Sequence, residues 1–354
     1  MASFASLICH LLLSTLLLGS HLSLTIAQTA TPPLARGLSW DFHRLNCPRL
    51  ERIVRDELNK AFRRDIGLAA ALLRIHFHDC FVQGCDASVL LEGSVAGPGE
   101  QEAPPNLTLR PDAIRLLNII RERVHRECGQ VVSCSDITAL AARDSVVLSG
   151  GPQYRVPLGR RDGHNFATRE DTISNLPSPR STARQLIDSL RNKGLDATDI
   201  VALSGGHTIG RSLCTSFTNR LYPNQDPTMD QGFAQSLKRS CPAVDSNGSV
   251  MLDPQTPNLF DNRYYINLRN RQGLFTSDQD LYMDSTTRPI VTRFAENQRL
   301  FFERFAFSMI KMGMMNVTTG TQGEIRANCS RRNAPSGSTY FTAVLEEEGE
   351  SAAF

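Results

Sequence analysis

Apolar positions recur at helical spacing in several stretches of this chain. In Leu50–Arg63, Ile53, Val54, Leu58 and Phe62 are spaced that way with charges between them. Ala113–Val124 and Ile137–Leu148 carry the same signature, and Thr182–Leu190 and Ala197–Leu203 follow. Pro111 and Asp112 form a start signal for one of these helices, whereas Pro177 and Pro179 mark a loop that cannot be helical. A further apolar run, Ile66–Leu73, leads directly into residues 74–88, Arg-Ile-His-Phe-His-Asp-Cys-Phe-Val-Gln-Gly-Cys-Asp-Ala-Ser. If that run is helical, Arg74 and His78, four apart, share one face, and His76, two from His78, points elsewhere. With no internal repeat and no Gly/Ser linker, the pattern predicts one compact, mostly helical unit large enough for a sizeable core.

Leu11–Leu18 is an apolar core followed by the small residues around Thr25-Ile26-Ala27, so residues 1–27 read as a secretory signal peptide, too short in its apolar part for a bilayer span. No later segment is apolar for long enough, so no span is expected in the mature chain. Lys and Arg number 38 against 36 Asp and Glu, a balance that argues against a nucleic-acid partner. Of nine cysteines, Cys9 falls in the signal peptide, and the even remainder in a secreted chain implies disulfides whose pairing the sequence leaves open. Asn247-Gly-Ser, Asn316-Val-Thr and Asn328-Cys-Ser are glycosylation acceptors by pattern. Residues 28–334 form the expected domain. Residues 335–354, with Glu346-Glu-Glu-Gly-Glu and no cysteine, are expected to be a flexible or processed extension.

Residues 74–88 put a cation, two imidazoles, two carboxylates and a close cysteine pair into one short stretch, denser in chemistry than packing alone requires. This segment strongly resembles the distal motif of the plant secretory (class III) haem peroxidases, Arg-x-x-Phe-His-Asp-Cys-Phe-Val-x-Gly-Cys-Asp-Ala-Ser. Ser204-Gly-Gly-His207-Thr-Ile-Gly210 resembles their proximal motif, and the resemblance runs from about Phe42 to Cys329. It implies an all-α, two-lobed fold with one haem b between distal and proximal helical lobes. It also selects four disulfides: Cys47–Cys128, Cys80–Cys85, Cys134–Cys329 and Cys214–Cys241. Bridges closing long loops typically contribute about 2–4 kcal/mol each.

The implied activity is reduction of hydrogen peroxide to water, with phenolic donors oxidised in one-electron steps through ferryl intermediates, by a secreted monomer of the cell wall or, through its extension, the vacuole. His78 matches the distal base, which takes a proton from one peroxide oxygen and returns it to the other; a neutral imidazole can do both. Arg74 would stabilise the charge that builds on the leaving oxygen, and Phe77 would wall the pocket. Asn106, in Glu100-Gln-Glu-Ala-Pro-Pro-Asn106, matches the amide that orients the base. It is therefore expected to be buried and unmodified although Asn106-Leu-Thr fits the glycosylation pattern, and Glu100 matches an acid that links this region to calcium.

His207 matches the axial iron ligand and Asp278 its carboxylate partner, with Gly205 and Gly206 letting the backbone approach the macrocycle. Pro177 matches a residue at the donor-binding haem edge. Two Ca²⁺ ions are implied, one on Asp79, Val82, Gly84, Asp86 and Ser88, the other on Thr208, Asp253, Thr256, Leu259 and Asp261, sets of hard oxygen ligands. Two other readings compete. A non-catalytic wall protein sits poorly with intact Arg74, His78, His207 and Asp278, and a zinc enzyme on His76, His78 and Cys80 fails on helical spacing and on a thiol consumed by a disulfide.

Overall fold

The computed structural model describes residues 31–93 and 97–334; the signal peptide and the extension lie outside those residues. The first lobe is built on α1 (Leu50–Phe62), α2 (Leu68–Val82), α3 (Pro111–Cys128) and α4 (Cys134–Leu148). Lacking a Gly or Pro between Gly67 and Gln83, the apolar run before Arg74 continues as one helix through the whole distal motif to Val82. Helix α3 starts on Pro111 at its first turn and ends where Gly129 takes a positive φ of 76°. Helix α4 is capped by the Ser133 side chain, which accepts from the Asp136 amide, a cap worth about 1 kcal/mol.

Helix α4 packs chiefly against α2 and forms the centre of this lobe, buried along every residue from Cys134 to Val146. Burial at this depth favours pairing of its carboxylates. Asp136 accepts from Arg160 Nη1 at 2.9 Å and from the Gly159 amide at 2.8 Å, and Asp144 accepts from Arg55 Nη2 at 2.7 Å.

A short helix, α5 (Arg169–Asn175), leads through the Pro177–Pro179 loop to the second lobe of α6 (Ala183–Arg191), α7 (Ala197–Ser204) and α8 (Gln231–Ser240). The lobe is completed by α9 (Arg263–Arg269), α10 (Thr276–Met283), α11 (Arg288–Glu296) and α12 (Gln298–Met312). The sheet among the described residues is one antiparallel ribbon, β1 (Arg211–Leu213) on β2 (Ser249–Met251). An aromatic cluster of Phe260, Tyr265, Phe294, Phe301 and Phe305 fills this lobe, with Tyr265 and Phe301 edge to face at 4.9 Å.

The structure is thus mostly helical with four disulfides, Cys47–Cys128, Cys80–Cys85, Cys134–Cys329 and Cys214–Cys241. Helices α5 and α8 to α12 are absent from the sequence reading. For α12 the signal was present: buried Phe301, Phe305, Ser308 and Met312 recur three and four apart. No helix among the described residues is long and apolar enough to cross a membrane.

After α12 the chain returns to the first lobe. There the buried Arg326 guanidinium donates to the carbonyls of Ala87 at 2.7 Å, Gly163 at 2.7 Å and Cys329 at 3.1 Å, tying the loop that follows α2 to the chain's return.

Candidate active site

Helix α2 supplies one wall of the site and the 3-10 turn Gly205–Thr208 after α7 supplies the other. The two walls approach closely: a Cβ built on Gly206 would lie 3.4 Å from Leu73 Cδ2, and one on Gly210 would lie 2.9 Å from Ala70 Cβ. Leu73 and Ala70 lie within the turn before Arg74, so the turn that carries His207, between these glycines, packs close to the helix that carries Arg74 and His78. Gly205 plays a different part from the one expected of it. A Cβ there would meet the Tyr265 hydroxyl at 2.3 Å and the Phe301 ring at 2.5 Å, so its missing side chain makes room for the aromatic core and not for a macrocycle.

On α2, Arg74 Nε donates to His78 Nε2 at 3.2 Å, as the i, i+4 spacing allows. The Arg74 Nη atoms donate to the carbonyls of Pro105 at 2.8 Å and Thr108 at 3.2 Å. His78 Nδ1 donates to Asn106 Oδ1 at 2.5 Å, and Asn106 Nδ2 donates to the Glu100 carbonyl at 2.8 Å. The amide orientation fixes the tautomer: Nδ1 carries the proton and Nε2 presents a lone pair. Burial first, and then the neighbouring Arg74 cation, hold the His78 imidazole down at about 3, so it is neutral at physiological pH. Burial also lowers Arg74 to about 10, which leaves it charged. Phe77 stands edge-on to His78 at 5.0 Å and to Phe81 at 4.5 Å. Asn106 is 1% exposed, with both ends of its amide engaged, whereas Asn247, Asn316 and Asn328 are exposed.

His76 projects from the other side of α2. It lines a small cavity with Ala139, Tyr154, Arg160 and Gly313, away from Arg74, and burial lowers it to about 3 as well. Cys80 is bridged to Cys85, and no group of three or more His, Cys, Asp or Glu side chains placed to hold a metal occurs among the described residues. The zinc reading has no support here.

On the opposite wall, His207 Nδ1 donates to Asp278 Oδ1 at 2.8 Å. Asp278 lies in the first turn of α10, and its Oδ2 accepts from the Phe275 amide at 2.9 Å. The His207 side chain is 39% exposed while that of Asp278 is 3% exposed. The His207 Nε2 has no hydrogen-bond partner among the described residues, and the side chain is partly open. A neutral base on one wall and a carboxylate-backed imidazole with a free nitrogen on the other form a donor set that fits haem iron.

The oxygen ligands expected for calcium divide into two cases. In the first set, Asp79 Oδ1, Ser88 Oγ and, close by, Glu100 Oε2 are buried without hydrogen-bond partners. Burial and the adjacent Asp86 carboxylate hold Asp79 well above the usual carboxylate range, and burial raises Asp86 and takes Glu100 to about 7. Orphaned oxygens and crowded carboxylates on this scale suit a hard cation. Gly84, at φ 128° and pressed on Asn316, lets the loop of Val82 and Gly84 close back under α2.

The second set is largely engaged in hydrogen bonds with its own loop and neighbours. Thr208 Oγ1 donates to Asp261 Oδ1 at 3.2 Å, and Asp253 accepts from the amides of Gln255 and Thr256 at 2.8 and 3.2 Å. The structure pairs Thr208 with Asp261 and Asp253 with Thr256, and leaves Leu259 47% exposed. Pro177 lies half-buried in the loop after α5, and the Ser277 amide of α10 donates to the Pro179 carbonyl at 3.0 Å.

Three residues near the site were not found by sequence reasoning. Lys193 Nζ donates to the Phe81 carbonyl at 2.6 Å and to Asn175 Oδ1 at 2.8 Å, tying the C-terminus of α2 to the end of α5. Arg326 holds Ala87, whose amide donates to Asp79 Oδ2 at 3.0 Å. The Tyr264 hydroxyl donates to Asp278 Oδ1 at 2.9 Å. These are long-range contacts that no local spacing announces.

The model of the family described as peroxidase matches residues 54–297. Peroxidase 12 of Arabidopsis thaliana is 62% identical over 320 residues, covering 90% of this chain and 88% of that protein. Cationic peroxidase SPC4 of Sorghum bicolor is 60% identical over 323 residues, covering 90% of this chain and 89% of its own. Peroxidase 66 of Zea mays is 43% identical over 315 residues.

Proposed function

The chain belongs to the plant class III peroxidases, haem-dependent oxidoreductases that use hydrogen peroxide, and from that premise we propose that it oxidises phenolic donors in single-electron steps with His78 as the proton-transferring base. One peroxide and two donors, each losing one electron and one proton, balance as two waters and two donor radicals. Haem b, when bound, supplies the iron at which peroxide is reduced.

The residues of the chain do the rest. His207 offers Nε2 to the iron, and Asp278, accepting its Nδ1–H, turns the ring into a stronger donor. His78, neutral and fixed by Asn106, takes the proton from one peroxide oxygen and returns it to the departing one. Such transfers are worth about 10²–10⁴-fold. Arg74 stays charged and turns its guanidinium into the same pocket, where donors aimed at developing charge are worth roughly 3–4 kcal/mol. The loop at Pro177 is where donors would meet the haem edge. Calcium on Asp79, Val82, Gly84, Asp86 and Ser88 would fix the residue next to His78. A second ion on Thr208, Asp253, Thr256, Leu259 and Asp261 would do the same beside His207. The mature domain, residues 28–334, is proposed to act as a secreted monomer after removal of residues 1–27, and residues 335–354 to bear on sorting between wall and vacuole.

The observation that carries this reading is the tautomer forced on His78 by Asn106, because it leaves the lone pair on the nitrogen that faces Arg74. The test is an absorption spectrum of the purified protein followed by peroxide-dependent oxidation of guaiacol. A Soret band with turnover is expected. A Soret band without any peroxide-dependent turnover would overturn the proposal.

A further inference from the structure

Asp278 Oδ1 is shared. It accepts from His207 Nδ1 at 2.8 Å and from the Tyr264 hydroxyl at 2.9 Å, while Oδ2 takes the Phe275 amide at 2.9 Å. Tyr264 is 3% exposed on α9, and its ring lies edge-on to His207 with centroids 6.1 Å apart. We infer that Tyr264 is a positioning residue that moderates the electron donation of His207 by competing for the same carboxylate oxygen.

The charge on that oxygen governs the effect. Donors to a carboxylate keep it ionised, and each of them withdraws electron density from it. With Tyr264 and Phe275 both engaged, the Asp278 carboxylate is held in place by two donors besides His207, and it pulls less strongly on the His207 proton than it would without them. Hydrogen bonding to a ligating imidazole sets its basicity, and basicity sets the potential of the metal it holds. Tyr264 therefore restrains the push that Asp278 delivers. Its neighbour Tyr265 does not. That hydroxyl points to the other side of α9, donating to the Val201 and Ala202 carbonyls of α7 at 2.8 and 3.3 Å.

This inference rests on His207 as the iron ligand, and the experiment separates the two. The iron reduction potential and the iron–imidazole stretching frequency of the ferrous haem protein are measured for the parent, Tyr264→Phe, Tyr265→Phe and Asp278→Asn. Tyr264→Phe is expected to lower the potential and raise the stretching frequency, Asp278→Asn to move both the other way, and Tyr265→Phe to move neither. A parent without a histidine-ligated iron signal would sink the assignment of His207 itself. Given that signal, the inference about Tyr264 is overturned by unchanged values in Tyr264→Phe, by shifts of the opposite sign, by equal shifts in Tyr265→Phe, or by loss of haem from Tyr264→Phe alone.

Discussion

The two walls of the site each present a histidine whose Nδ1 meets an oxygen, yet the oxygens differ. On the first wall the acceptor is the neutral amide of Asn106, and His78 is 5% exposed; on the second it is the Asp278 carboxylate, and the His207 side chain is 39% exposed. An amide fixes the tautomer without adding charge, so the His78 Nε2 stays a weak base able both to take a proton and to give it up. A carboxylate adds charge to the ring, which suits a nitrogen that must hold a metal. The partner at Nδ1 therefore assigns the role, and substitutions on the two walls should fail in different ways.

The largest difference is expected between His207→Ala and His78→Leu. The first removes the proposed protein ligand, so the purified variant should bind haem poorly or show a shifted Soret band. The second should keep the band and slow the stopped-flow reaction with peroxide by at least about 10²-fold, while His76→Leu, on the other face of α2, keeps most of the rate. Equal slowing in His78→Leu and His76→Leu would mean the wrong histidine has been chosen.

Calcium should separate the walls next. The first lobe leaves Asp79 Oδ1 and Ser88 Oγ without partners, whereas Asp253 and Asp261 already accept from their own loops. Chelation is therefore expected to cut turnover while helical circular dichroism is largely kept. Full turnover in protein shown to be free of calcium would contradict this.

A smaller effect concerns pH. His76 and His78 sit near 3 when folded and near the ordinary 6.5 when unfolded, so between those values the unfolded chain binds protons that the folded one does not. Stability should fall as pH drops from 6.5 towards 3. Replacing His76 by Leu should flatten that dependence in thermal melts, and an unchanged slope would count against its burial as a neutral ring.

Much of this contrast was legible beforehand. Arg74 and His78 share a face because four residues make about one turn, and Pro111 marked the start of α3 because its missing N–H costs nothing there. Other features could not be read. The bond from Tyr264 to Asp278 spans fourteen residues and two helices, and the clasp of Arg326 on Ala87 spans 239. Such contacts depend on how the lobes close and not on any local period. Gly205 shows the reverse hazard, where a glycine in a recognisable motif proves to serve the aromatic core behind it.

The role of the Nδ1 partner is tested most directly by giving the first wall the acceptor of the second. In Asn106→Asp a carboxylate would face His78 Nδ1 and favour the imidazolium, so the neutral base would be lost at higher pH than in the parent. The measurement is the pH dependence of the stopped-flow reaction with peroxide. The parent rate should hold down to mildly acidic pH, since burial keeps His78 near 3, and the acid limb of Asn106→Asp should move clearly upward. An Asn106→Asp profile that superimposes on that of the parent, in protein that retains its Soret band, would contradict the account.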